Sequence, residues 1–88
     1  MLKVERTNRF KKSYALCKER NYDMAMIKTV MGLLTNQKPL PRRYRNHKLK
    51  GYIPPCWECH VKGDWLLIYR YEKDTIIFED TGTHSDLF

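Results

Sequence analysis

Cys56-Trp57-Glu58-Cys59-His60-Val61-Lys62-Gly63-Asp64-Trp65-Leu66-Leu67-Ile68-Tyr69-Arg70-Tyr71-Glu72-Lys73-Asp74-Thr75-Ile76-Ile77-Phe78-Glu79 is the stretch on which the fold turns. Trp65–Tyr71 is apolar enough to be a strand buried on both faces. Cys56–Val61 and Thr75–Glu79 flank it as further strands. The breaks at Val61-Lys62-Gly63 and Glu72-Lys73-Asp74 are short enough for hairpins. His47–Tyr52 reads as an earlier strand, ended by Pro54-Pro55.

Upstream of these strands the apolar period changes. Leu2–Glu5 is a short strand. Thr7 is a helix cap, and Phe10, Tyr14 and Cys17 share one face of a helix running to about Arg20. Asp23 caps a second helix, whose Met24, Ile27, Val30, Met31 and Leu34 follow the i, i+3, i+4, i+7 pattern of a buried stripe. Asn36–Tyr44, with Pro39 and Pro41, is a loop. The order is β-α-α-β-β-β-β: an α+β domain over residues 1–88, with two N-terminal helices packed on a mostly antiparallel sheet.

Seventeen Lys and Arg oppose ten Asp and Glu, a net charge of +7. That balance favours an anionic partner. No apolar run approaches the ~20 residues needed to cross a bilayer. Met1–Arg6 lacks the apolar core of a signal peptide, so a cytoplasmic location and no membrane partner are expected. Three cysteines make no disulfide framework, and a reducing compartment suits them.

The chemistry-bearing residues lie in the second half, where all three histidines fall. A turn after His60 brings it beside Asp64. With a three-residue turn at Glu72-Lys73-Asp74, Tyr71 pairs with Thr75, Leu66 with Asp80, and Asp64 with Gly82. His84 then follows directly, so His60, Asp64 and His84 converge at one end of the sheet. His47 opens the earlier strand, at a distance this register leaves open. Imidazoles and a carboxylate on a basic chain suit acid–base chemistry on a polyanion. RNA carries its own nucleophile, the 2′-hydroxyl.

Cys56-Trp57-Glu58-Cys59-His60 also matches the C-x-x-C-H pattern of haem attachment. Haem attachment needs an exported chain, and residues three apart on a strand point to opposite faces. The same facing argument disfavours zinc on Cys56 and Cys59, and the sequence offers no second ligand pair. No metal or other cofactor is expected. A non-catalytic RNA- or DNA-binding module is the competing class.

His47-Lys48-Leu49-Lys50-Gly51, Glu58–Tyr69 and the ending Thr81-Gly82-Thr83-His84-Ser85-Asp86-Leu87-Phe88, together with the element order, resemble the YafQ-type toxins of the RelE superfamily. The resemblance covers essentially the whole chain. It implies the toxin half of a type II toxin–antitoxin pair: an mRNA endoribonuclease acting on the translating 70S ribosome. It further implies neutralisation by a cognate antitoxin and contact with operator DNA through that antitoxin. Carried over by position, the family's site falls on His47, His60, Asp64, Trp65, His84 and Phe88. Asp80 departs from the pattern, standing where the family has an arginine.

The expected roles are Asp64 as base, aided by His60, and His84 as acid. His47, Lys48, Lys50 and Lys62 bind phosphate, and Trp65 and Phe88 stack on bases. Asp80, as a diagonal neighbour of Asp64, is expected to raise one carboxyl pKa.

Overall fold

The computed structural model describes residues 1–88. Its elements are β1 (Lys3–Arg6), α1 (Asn8–Glu19), α2 (Met24–Thr35), β2 (His47–Lys48), β3 (Trp57–Lys62), β4 (Trp65–Glu72), β5 (Thr75–Gly82) and α3 (His84–Leu87), with a 3-10 turn at Arg42–Tyr44. One five-stranded sheet has the order β1-β5-β4-β3-β2. All neighbours are antiparallel except β1, which runs parallel to β5. The architecture is the expected α+β layer.

The helix boundaries follow from their caps. Thr7 Oγ1 accepts from the Phe10 amide at 2.9 Å, and the Asp23 carboxylate accepts from the Ala25 amide at 3.2 Å. Each satisfies a backbone donor that the first helical turn leaves free. The apolar stripes face the sheet: Phe10 and Cys17 from α1, and Ile27, Val30 and Leu34 from α2, are buried against Cys59, Leu67, Tyr69, Ile76 and Phe78. Burying each large side chain contributes about 1.5–3 kcal/mol.

The strands differ from expectation in three ways. The first hairpin strand covers only His47–Lys48. Beyond a single bond from the Leu49 amide to the Cys56 carbonyl (2.9 Å), the chain leaves the sheet. Strand β5 runs on to Gly82. Its pairing with β4 also differs: Glu72 pairs with Thr75 across a tighter turn, Tyr69 with Phe78, and Ile68 with Asp80, so Glu79 is an extra residue, a bulge. The Glu79 carbonyl accepts the Thr7 hydroxyl at 2.7 Å, so the start of α1 holds the bulge. Asp80 therefore faces Ile68 rather than Leu66. It keeps its expected face but lies two residues, about 7 Å, farther from the Asp64 end.

Alternation gives the sheet two unlike faces. One meets the helices. The other carries Glu58, His60, Leu66, Ile68 and Asp80, and is overhung by Tyr52–Pro54 and Leu87.

Candidate active site

Three imidazoles line one end of this second face. The His47 and His60 rings are 6.5 Å apart, and those of His60 and His84 6.2 Å apart. The structure thus joins His47 to the convergence expected of His60, Asp64 and His84.

Each ring is fixed through Nδ1. His47 Nδ1 bonds the Arg45 carbonyl at 2.8 Å, where Arg45 closes the 3-10 turn in a left-handed conformation. Asn46 Oδ1 accepts the hydroxyl of buried Tyr69, pinning this segment to β4. His60 Nδ1 bonds the Gly63 carbonyl at 2.8 Å, across the bulge that separates His60 from Lys62. His84 Nδ1 bonds Asp64 Oδ1, which also accepts the His84 amide at 3.3 Å. A carbonyl or carboxylate only accepts, so each Nδ1 is the protonated donor and Nε2 is the remaining ring nitrogen.

Glu58 is the residue the sequence reading missed. It is 4% exposed and one of only two polar or charged side chains in the buried set. Its Oε1 lies 3.4 Å from His47 Nε2 and 3.9 Å from His60 Nε2. A buried carboxylate needs partners of this kind, and two histidines supply them.

Asp64 has its pKa lowered, first by the His84 side-chain hydrogen bond, then by the His84 amide. The expected rise caused by Asp80 is absent, because the shifted β5 register takes Asp80 toward Ile68.

The short helix α3 is held by a capping box. Thr83 Oγ1 accepts the Asp86 amide at 3.2 Å, and Asp86 Oδ2 accepts the Thr83 amide at 2.9 Å. Arg20 grips the same carboxylate with bonds of 2.7 and 3.2 Å, joining α3 to the end of α1 and holding Asp86 well below the usual carboxylate range.

Among the other expected site residues, Phe88 is 60% exposed with its ring 6.1 Å from that of His84. Lys62 is exposed at the end of β3, where it pairs with Trp65, and Lys50 is exposed in the turn after β2. Two residues do not fit. Trp65 is 6% exposed, packs on Tyr22 at 4.9 Å and donates to Thr81 Oγ1 at 2.9 Å. It is a core residue and presents no face to a base. Lys48 pairs with Trp57, so it points to the helix side of the sheet, away from His47. Arg70 is neutralised by Glu79 and Glu72.

The chain matches, over residues 2–88, the family described as bacterial toxin of type II toxin-antitoxin system, YafQ. It is 38% identical over 86 residues to the mRNA interferase toxin YafQ of Escherichia coli K12, covering 97% of this chain and 94% of that one. Among solved structures, the metal-bound toxin from Helicobacter pylori superposes with a TM-score of 0.95 at 34% identity, over the full length of both chains. The E. coli DinJ–YafQ complex gives 0.92 at 37% identity, covering 100% of this chain and 99% of that one. The fold is that of the small RelE-like toxins, two helices on a mixed five-stranded sheet. Within that class, the chain belongs to the YafQ family of toxins from bacterial type II toxin–antitoxin systems.

Proposed function

We propose that this chain is an endoribonuclease that cleaves mRNA without a metal and thereby inhibits translation, acting in the bacterial cytoplasm on mRNA engaged with the 70S ribosome. The observation that carries this reading is the pair His60 and His84. Their ring centres are 6.2 Å apart, and both are held through Nδ1. Imidazoles this close can both reach the oxygens of one phosphodiester.

In this mechanism His60 Nε2 takes the proton of the 2′-hydroxyl as its oxygen attacks the adjacent phosphorus. His84 Nε2 gives a proton to the departing 5′-oxygen. The P–O5′ bond breaks, and a 2′,3′-cyclic phosphate and a 5′-hydroxyl remain. Asp64 serves as a positioning residue rather than as the base: its Oδ1 is occupied by His84 and its lowered pKa makes it a weak proton acceptor. It orients the His84 ring so that Nε2 can reach the leaving oxygen. Glu58 lies on the Nε2 side of His60 and His47 and orients both rings from within the sheet. His47, Lys62 and Lys50 offer positive charge to the phosphate, and Phe88 offers a stacking surface.

A cognate antitoxin is the second partner. A toxin of charge +7 suits an acidic segment that covers the His60–Asp64–His84 end or displaces Phe88, with operator DNA contacted through the antitoxin.

The test is cleavage of a reporter mRNA in a translation extract by wild type, His84→Ala and Glu58→Gln. Each substitution is expected to slow cleavage by about 10²–10⁴-fold while the fold is retained. Equal rates from His84→Ala and wild type would reject the assignment. A wild-type protein that binds RNA and cleaves none would point to the non-catalytic module.

A further inference from the structure

The second face of the sheet holds more than the histidines. His47, Glu58, Ile68 and Asp80 form one row across β2, β3, β4 and β5. At the far end of this row is a cavity of about 240 Å³, with Tyr52, Ile68 and Leu87 as apolar walls and Arg9 and Asp80 as polar ones. Asp80 is two strand spacings from Glu58, about 10 Å. Asp80 Oδ1 accepts the Thr81 amide at 2.8 Å, and no protein donor reaches its other oxygen. Arg70, which also lines the cavity, is spent on Glu79 and Glu72, while Arg9 pairs with no carboxylate.

We propose that this cavity is a nucleobase subsite, holding a base that flanks the cleaved phosphate, and that Asp80 selects that base by its amino group. The proposal rests on the endoribonuclease reading above and adds a specificity to it. An ionised carboxylate only accepts hydrogen bonds. It is therefore complementary to the exocyclic amino group of cytosine or adenine, and to the N–H edge of guanine. Uracil presents its one donor between two carbonyls, which a carboxylate repels. Tyr52, 40% exposed on the overhanging loop, supplies a stacking wall that any base accepts. Arg9 is placed for the adjoining phosphate.

The experiment measures cleavage of transcripts that differ only by cytosine or uracil at each nucleotide flanking the cut, by wild type, Asp80→Ala, Asp80→Asn and Tyr52→Ala, with thermal midpoints as the control for folding. Wild type is expected to favour cytosine at one flanking position by about tenfold, the size of one good base contact. Asp80→Ala should cleave both transcripts at rates within about twofold of each other. Asp80→Asn keeps an acceptor for the Thr81 amide and turns its NH₂ to the cavity, so its preference should move toward uracil. Tyr52→Ala should slow both transcripts alike and keep the ratio. An Asp80→Ala enzyme that retains the wild-type ratio, or a wild type indifferent to the two bases at every flanking position, overturns the subsite and leaves the nuclease reading standing. A wild type that cleaves neither transcript removes both.

Discussion

Asp64 and His84 show how much one hydrogen bond decides. Bonding to His84 holds Asp64 below its ordinary pKa of 3.8. A carboxyl depressed in the folded state stabilises the fold fully above its unfolded pKa, and that contribution is lost as pH falls through the folded value. Asp86, depressed by Arg20, acts in the same window. Wild-type stability should therefore fall more steeply below about pH 4 than that of Asp64→Asn, measured by urea unfolding across pH 2 to 6. Parallel curves would show that the bond does not persist in solution. At neutral pH the same variant should cleave RNA about 10–100-fold more slowly, because the carboxylate that orients the His84 ring is gone. His60, Asp64 and His84 were legible as a group because hairpins bring strand ends together regardless of a small slip in register. Glu58 was hidden by the general rule that carboxylates lie outside, although its i, i+2 spacing from His60 puts both on one strand face. Trp65 misled because an aromatic beside Asp64 resembles a stacking residue, whereas β4 is buried on both faces there.

At the scale of elements, α3 is the piece that brings His84 and Phe88 to the site. Gly82 allows it: φ is +151°, and a Cβ there would lie 2.9 Å from Asp86 Oδ2. Gly82→Ala thus strains the backbone and strikes the carboxylate that closes the capping box and binds Arg20. It should lower cleavage by at least about tenfold, with a loss of stability of about 1–3 kcal/mol. Unchanged cleavage and thermal midpoint would mean that α3 re-seats freely. The Thr83-x-x-Asp86 spacing of the capping box was present in the sequence and would have revealed α3. The β4–β5 turn had no such signal. Lys73 takes φ +54°, a conformation usually marked by Gly or Asn. The Glu79 bulge depends on Thr7, a partner 72 positions away, which no local pattern encodes. The two long helices were legible because cap and stripe agree in each.

For the molecule as a whole, the charge of +7 acts on RNA through its phosphates. A single strand whose phosphates meet three cations should bind with a log–log salt slope of about −2, so affinity falls about 20-fold between 50 and 200 mM salt. Anisotropy of a labelled oligonucleotide with His84→Ala, which binds without cutting, reads this directly. Salt-independent binding would place the RNA away from the basic surface. The central claim concerns the reaction itself: two histidines pass a proton across one phosphodiester while the RNA attacks itself. The decisive measurement is the product ends from a substrate with and without a single 2′-deoxy nucleotide on the 5′ side of the cut, in the presence of EDTA. The ribose substrate is expected to give 5′-hydroxyl and 2′,3′-cyclic phosphate ends, undiminished by EDTA, and the deoxy substrate to stay intact. Cleavage of the deoxy substrate, or 5′-phosphate ends, would contradict this mechanism.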